Sequence, residues 1–431
     1  MKKTYVFLLF TIFMFIISCN KPTTSPTGPS SEVINGITYY DPATAETKEY
    51  YIRRTDWSIG NDIEVKSKFK KLAESQHTIF YAEDGQNVTR EHISSFLTKF
   101  EEYYPKEIEI YGEPSDLDQN GKVIFLMAAL NTNKSPNDPS KGGYFNPLDL
   151  VIGKNGAVGE YLHVDTDRSD LNYIVGVMMH EFQHLINANV NREKAMDIWL
   201  NEALSESTSH IFSESLVNER KDTLIKVPYY SFYSWNFKYN TGGNIFDSKA
   251  ILMSYASSSM FMKWLDIKTG GNYNIYKEIA HSDPSLTSEQ RLLNITSKNG
   301  LGDNMDDLML NWVNGLSKGE VAGLDIAAID PNSQDVSING KIALVPKALI
   351  VYDTASLQGI DKTKTIALNG QNWNGYSAII NTANNDTVGV VDQANIIELN
   401  LPQVNGLESS AKYKSVDFDL LKGNYIEVNT K

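Results

Sequence analysis

The sequence predicts an α+β protein, with a small N-terminal sheet packed against helices and an all-β, sandwich-like portion at the C-terminal end. Three observations carry that expectation. Lys122 to Leu130 is a short apolar run bounded by Gly and Asn, as in a buried strand. Tyr173 to Met179 and the residues after it are apolar at helical spacing, with Ser169 or Asp170 placed to cap the helix. From about Ala322 the periodicity changes to short alternating runs such as Lys341 to Val345 and Asn395 to Leu399, separated by turns.

Taken in order, the chain begins with Lys2 and Lys3 ahead of an apolar run from Tyr5 to Ile17. A basic start, a short apolar core and a small residue form a secretory signal over residues 1–18, too short for an ordinary membrane span. Ile16-Ile17-Ser18-Cys19 resembles a bacterial lipobox, which implies lipidation of Cys19 and a location outside the cytoplasm, on the outer membrane or cell surface. Cys19 is the single cysteine, so no intramolecular disulfide can form. Residues 19–35 are rich in Pro, Ser, Thr and Gly and read as a disordered tether. A first large unit is expected over 36–320 and a β-rich one over 321–431, with the boundary near Gly319 to Gly323. Within the first unit, helices are expected at Asn87 to Tyr104, Asp170 to Asn187, Asp197 to Phe212, Asp247 to Lys268, Ser288 to Asn294 and Met305 to Leu316. Strands are expected at Lys122 to Leu130, Lys141 to Pro147 and Glu160 to Asp165.

The chemistry lies in His180-Glu181-Phe182-Gln183-His184, an H-E-x-x-H arrangement. Residues four apart share a helix face, so His180 and His184 can bind one zinc ion. Glu181, next to the first His, is placed to act as a general base. Asn201-Glu202-Ala203-Leu204-Ser205-Glu206 follows and resembles the N-E-x-x-S-D segment of thermolysin-type proteases (gluzincins). That resemblance implies a zincin-like fold, Glu202 as third zinc ligand, and Glu206 as the acid that supports His180, here with Glu where thermolysin has Asp. Asn201 also matches, in a supporting position. The metzincin pattern is excluded, because its Gly and third His would fall on Asn187 and Val190.

A longer order is D-x-D-x-N-G-K from Asp116, G-G-Y-F from Gly142, H-E-F-Q-H-x-I-N, and W-L-N-E-x-L-S-E from Trp199. It resembles the hyicolysin-like neutral metalloproteases of bacteria over roughly residues 75 to 270. The resemblance implies a zinc endopeptidase acting on peptide or protein substrates. It also implies a peptide-binding edge strand, for which Gly143 and Tyr144 are candidates: Gly admits a second backbone, and Pro147 suits a sheet edge. Tyr255 resembles the tyrosine that supports the tetrahedral intermediate in zinc aminopeptidases. His210, eight residues past Glu202 on the expected helix, reads as a histidine supporting the site.

Asp116, Asp118 and Asn120 before Gly121 resemble the first half of a calcium loop. The twelfth position, which should be Glu, is Met127, and the same residues make an ordinary turn into a strand; the turn is the favoured reading.

With 41% hydrophobic residues the chain can form a sizeable core. Its formal net charge is −14, or −16 without Lys2 and Lys3, which argues against nucleic acid or anionic lipid headgroups as partners. A monomer is expected. Two further readings stay open: a surface adhesin that retains a zinc site, and an aminopeptidase. The intact Glu181 speaks against the first, and the absence of a G-x-M-E-N segment against the second.

Overall fold

The computed structural model describes residues 30–135, 140–151, 158–166, 170–226, 231–235, 239–240, 244–245, 248–324, 326, 337–338, 341–384, 394 and 397–401. The signal segment, Cys19 and the tether up to residue 29 lie outside the described residues, as does Ser169. Among the described residues, no helix is long and apolar enough to cross a membrane.

The N-terminal sheet has nine strands, not a small number. They are β1 (Ser31–Ile34), β2 (Ile37–Tyr40), β3 (Thr47–Asp56), β4 (Asn61–Glu74), β5 (Thr78–Glu83), β6 (Val123–Ala128), β7 (Asn131–Thr132), β8 (Gly143–Phe145) and β9 (Tyr161–Asp165). Their order is β1-β2-β4-β5-β6-β9-β8, with β3 paired to both β4 and β7. β5, β6 and β9 run parallel, whereas β8 returns antiparallel along β9 and ends the sheet. The expected tether therefore stops short of residue 31, because Ser31 to Ile34 pair in register with Ile37 to Tyr40.

β6 is buried along its whole length, and its side chains alternate between two cores. Val123, Phe125 and Met127 face the helices, while Ile124, Leu126 and Ala128 join Tyr50, Ile52, Phe69 and Tyr144 on the other face. The long β3–β4 hairpin supplies Tyr50, Ile52 and Phe69, so it covers the face the helices leave open.

On the helical face lie α1 (Arg90–Tyr111), α2 (Leu171–Val190), α3 (Ile198–Ser207), α4 (Ser209–Phe212), α5 (Glu214–Lys226), α6 (Ser248–Lys268), α7 (Asn274–Ala280), α8 (Ser288–Thr296) and α9 (Met305–Ser317). Thr89 caps α1 by accepting from His92 N. This helix continues past the expected end at Tyr104, through Pro105, to Tyr111. Proline costs one backbone hydrogen bond there. The extra turns bury Glu107, Ile110 and Tyr111, and that burial holds the helix together. Phe100 makes edge contacts with Phe125 of the sheet at 5.0 Å and Phe182 of α2 at 5.1 Å, fixing the layer spacing.

The expected helix from Asp197 to Phe212 is divided into α3 and α4. The hydroxyls of Ser207, Thr208 and Ser209 bond back to the carbonyls of Leu204, Ser205 and Glu206 at 2.6, 2.7 and 2.7 Å. Such hydroxyls compete with the helical ladder and favour a break.

Beyond a two-residue pair, β10 (Tyr239–Asn240) with β11 (Asn244–Ile245), the remaining strands are β12 (Ser337–Ile338), β13 (Lys341–Leu344), β14 (Leu349–Asp353), β15 (Thr363–Ala367), β16 (Tyr376–Asn381) and β17 (Ile397–Leu399). They form two three-stranded sheets, β12-β13-β17 and β14-β16-β15. Leu344, Ile350, Tyr352, Ile379 and Leu399 make a small cluster between them. The other face of β14 and β16, with Val351, Ala378 and Ile380, is continuous with the main core.

Candidate metal centre

α2 is the central helix of the molecule. Asp170 caps it, accepting from the backbone N–H groups of Asn172 and Tyr173. Two glycines allow its neighbours to come close. A Cβ on Gly176 would stand 2.7 Å from Ser213 Oγ, and one on Gly143 of β8 would stand 2.8 Å from both a Val177 methyl and the His163 carbonyl. The chain between α2 and α3 is held by the buried Arg291 of α8, which donates to Asn191 Oδ1 and to the carbonyls of Lys194 and Pro284. Asn187 of α2 bonds the Asn201 side chain of α3. These contacts bring the two helices together with His180 and His184 opposite Glu202.

The three ligand-type atoms form a triangle. His180 Nε2 and His184 Nε2 are 3.1 Å apart, and each is 3.4 Å from Glu202 Oε2. A tetrahedral zinc with bonds of about 2.0–2.2 Å has ligand-to-ligand edges of about 3.3–3.6 Å. The triangle is close to that size. All three residues are buried, and Glu202 Oε2 has no hydrogen-bond partner. A buried carboxylate oxygen facing two imidazole nitrogens is costly unless a cation balances it. The donor set thus fits zinc, and His180, His184 and Glu202 are the residues that would hold it.

Each imidazole is oriented from behind. Ser205 donates its hydroxyl proton to Gln183 Oε1 and lies 3.0 Å from His184 Nδ1. A hydroxyl has one proton, so His184 Nδ1–H donates to Ser205 and leaves the Nε2 lone pair free. His180 Nδ1 lies 3.3 Å from Glu206 Oε1, an ion-pair distance without hydrogen-bond alignment. Arg220 of α5 grips Glu206 with two bonds, Nε to Oε2 at 2.8 Å and Nη2 to Oε1 at 3.0 Å. Burial alone would raise the Glu206 carboxyl; Arg220 and His180 bring it down to about 2. His180 is raised to about 10 against its own burial, by Glu202 and Glu206.

Glu181 is fully buried and held at one oxygen only. Its Oε2 accepts the backbone N–H of Phe145 in β8 at 2.8 Å, and Oε1 has no partner. Burial pushes its pKa up to about 7, although His180 and His184 oppose the rise.

The other sequence candidates fall in different places. Asn201 couples α2 to α3 beside Glu202. Tyr255 of α6 is 1% exposed, with its ring edge-on to His180 at 5.8 Å and the Arg220 guanidinium 5.1 Å from its centroid. His210 lies on α4, where the charge of Glu206 still acts on it. Its Nε2–H donates to the Ser259 carbonyl at 2.8 Å, and burial, then Lys263, lowers its pKa to about 4. β8 is an edge strand as expected, but the Tyr144 side chain is buried on the far face, stacked on His163 at 4.1 Å, with its hydroxyl accepting from Arg53 N. Only the β8 backbone is left to meet a ligand. Asp116 to Gly121 forms a turn into β6. Asn120 is spent within it, on Lys122 N and on Asp118 Oδ2, while Asp116 and Asp118 approach Glu160 instead.

Sequence reasoning missed Arg220, Ser205 and the Phe145 amide. Ser205 had a signal, since it stands four residues after Asn201 within the motif itself. Arg220 had none, in the charged run Glu219-Arg220-Lys221-Asp222.

No family model matches the chain. A curated relative, the neutral metalloprotease ShpI of Staphylococcus hyicus, is 27% identical over 288 residues, covering 61% of this chain and 62% of its own length. The match thus spans less than two thirds of that relative. Among solved structures, an aminopeptidase N family protein from Idiomarina loihiensis aligns over 69% of this chain and 50% of its own at 12% identity, with a TM-score of 0.30. Yeast LTA4 hydrolase aligns over 66% and 46% at 13% identity, with a TM-score of 0.33. Overlaps at that level carry no argument about fold or chemistry. The sequence match agrees with the hyicolysin-like resemblance: this chain is similar to a staphylococcal neutral metalloprotease.

Proposed function

We propose that the protein is a zinc endopeptidase of the extracytoplasmic surface, tethered through a lipid on Cys19. The observation that supports it best is the ligand triangle of His180, His184 and Glu202 in the same motif as Glu181, whose Oε1 is buried and unpartnered. A zinc ion held there supplies Lewis acidity, which polarises a scissile carbonyl and acidifies water. Glu181 Oε1 takes the proton of the attacking water and returns it to the leaving amine. A general base works best with a pKa near the working pH, and burial places Glu181 near 7. The Phe145 amide keeps Oε2 in place so that Oε1 is the oxygen presented. Arg220, through Glu206, and Ser205 hold the two imidazoles. The backbone of β8 takes an extended substrate in this reading, and Tyr255 donates to the developing oxyanion. The unit boundary near residue 320 belongs to the same reading.

Glu181→Gln tests it. The variant keeps its zinc content and loses about 10²–10⁴-fold in casein hydrolysis. Equal hydrolysis by both proteins would leave the zinc-bearing adhesin as the better account. Cleavage of casein at internal bonds, against release of single residues from aminoacyl amides, separates endopeptidase from aminopeptidase. Cys19→Ser should move the protein from the membrane fraction to the soluble one; retention there would sink the lipid tether.

A further inference from the structure

The loop between α1 and β6 brings Asp116 and Asp118 to Glu160, the residue just before β9. One carboxylate oxygen from each lies within 4.8 Å of the others. Clustered surface acids alone would mean little. Here Glu160 is 1% exposed and only half satisfied. Its Oε1 accepts from Ser115 Oγ at 2.6 Å and Leu117 N at 2.9 Å, while its Oε2 is buried without any partner. A buried, unpaired carboxylate oxygen beside two more carboxylates is unfavourable on its own.

Among the described residues no lysine pairs with the three acids, although the charge of Lys48 acts weakly on Asp118. Lys122 Nζ is 3.1 Å from Glu74, and Lys48 Nζ is 3.1 Å from Glu46. Burial, and then the charge of Asp116 against the Asn120 hydrogen bond, leaves the Asp118 carboxyl above its ordinary value. Among the described residues Asp116 Oδ1 accepts from Gly121 N, and both Asp118 oxygens accept from Asn120. These are bonds within the loop, which shape it without neutralising it.

We propose that Asp116, Asp118 and Glu160 form a second metal site, for Ca²⁺, separate from the zinc centre. The donors are oxygens only, which selects a hard cation. Ca²⁺ accepts six to eight oxygens in flexible geometry, so three carboxylates plus water suit it, whereas Mg²⁺ demands a near-ideal octahedron. The ion would fasten the 112–122 loop to the start of β9, where Ile124 N already bonds the Glu160 carbonyl at 2.8 Å. The ligand set differs from the calcium-loop spacing in the sequence, because Glu160 replaces Asn120.

The test uses the full chain, zinc-loaded, in calcium-free buffer, titrated with CaCl₂ by calorimetry and by thermal unfolding. One saturable site and a rise in Tm are expected. Asp118→Asn, at a half-exposed position that tolerates change, should weaken Ca²⁺ binding at least about tenfold with zinc content unchanged. Glu160→Gln should do the same, and Asn120→Ala should still bind. No saturable heat and no Tm shift in the parent chain would overturn the proposal. So would full binding by Asp118→Asn, or loss in Asn120→Ala alone.

Discussion

His180, His184 and Glu202 come from one helix and the start of the next and are wholly buried, and the two imidazoles are backed by Glu206 and Ser205. Asp116, Asp118 and Glu160 come from a turn and a strand start, and only Glu160 is buried. The helical cluster mixes nitrogen with oxygen in a triangle near the size zinc requires; the loop cluster is oxygen alone. Rigid elements with a supporting layer hold ligands closely enough for chemistry. A turn with one buried anchor is suited to fastening a loop.

Three measurements would break or sharpen that contrast. The largest effect is expected from His184→Ala, which should abolish zinc binding and casein hydrolysis together while the calorimetric response to Ca²⁺ persists. Loss of both metals in that variant, at unchanged circular dichroism, would show that the two clusters are not independent. Next comes Arg220→Met. It leaves Glu206 buried without its bidentate partner, and breaking such a pair costs about 3–5 kcal/mol. Zinc affinity should also fall about 10–100-fold, because the support of His180 loosens. A denaturation midpoint within error of the parent would refute the role of Arg220.

The smallest effect concerns Glu181 and has a sign. Its folded pKa of about 7 stands above the ordinary 4.5, so between those values the folded chain holds a proton that the unfolded chain has released. Stability from this group is full below about pH 4.5 and is lost as pH rises through about 7. Glu181→Gln removes the dependence. In the zinc-free protein, the stability of the variant relative to the parent should therefore grow between pH 5 and pH 8, by up to about 3 kcal/mol. A constant difference across that range would place Glu181 in a more polar setting than its burial indicates.

The parts legible in the sequence were those with local rules. The 3.6-residue period and the Asp170 cap marked α2, and the motif marked the His180 and His184 pair that α2 sets opposite Glu202. A helix expected from Asn87 begins as α1 at Arg90, and an apolar run marked β6. What escaped depends on distant partners. Pro105 argued for a helix end, and only the burial of Ile110 and Tyr111 explains why α1 continues. The β3–β4 hairpin carries its apolar residues among many charges, and the Tyr50 and Ile52 alternation acquires meaning only beside Tyr81 and Leu126 across the sheet. Glu160 reads as an ordinary polar residue until parallel pairing of β6 with β9 sets it against the Asp116 turn.

The bond from the Phe145 amide to Glu181 has a consequence for solubility. Open sheet edges invite a second molecule to add its own strand, and proteins resist this by shortening or occupying the edge. β8 is three residues long, and one of its amides is already taken by Glu181. The bond that holds Glu181 thus also discourages edge-to-edge association along this side of the sheet, so removing the Glu181 carboxylate frees a donor for intermolecular pairing.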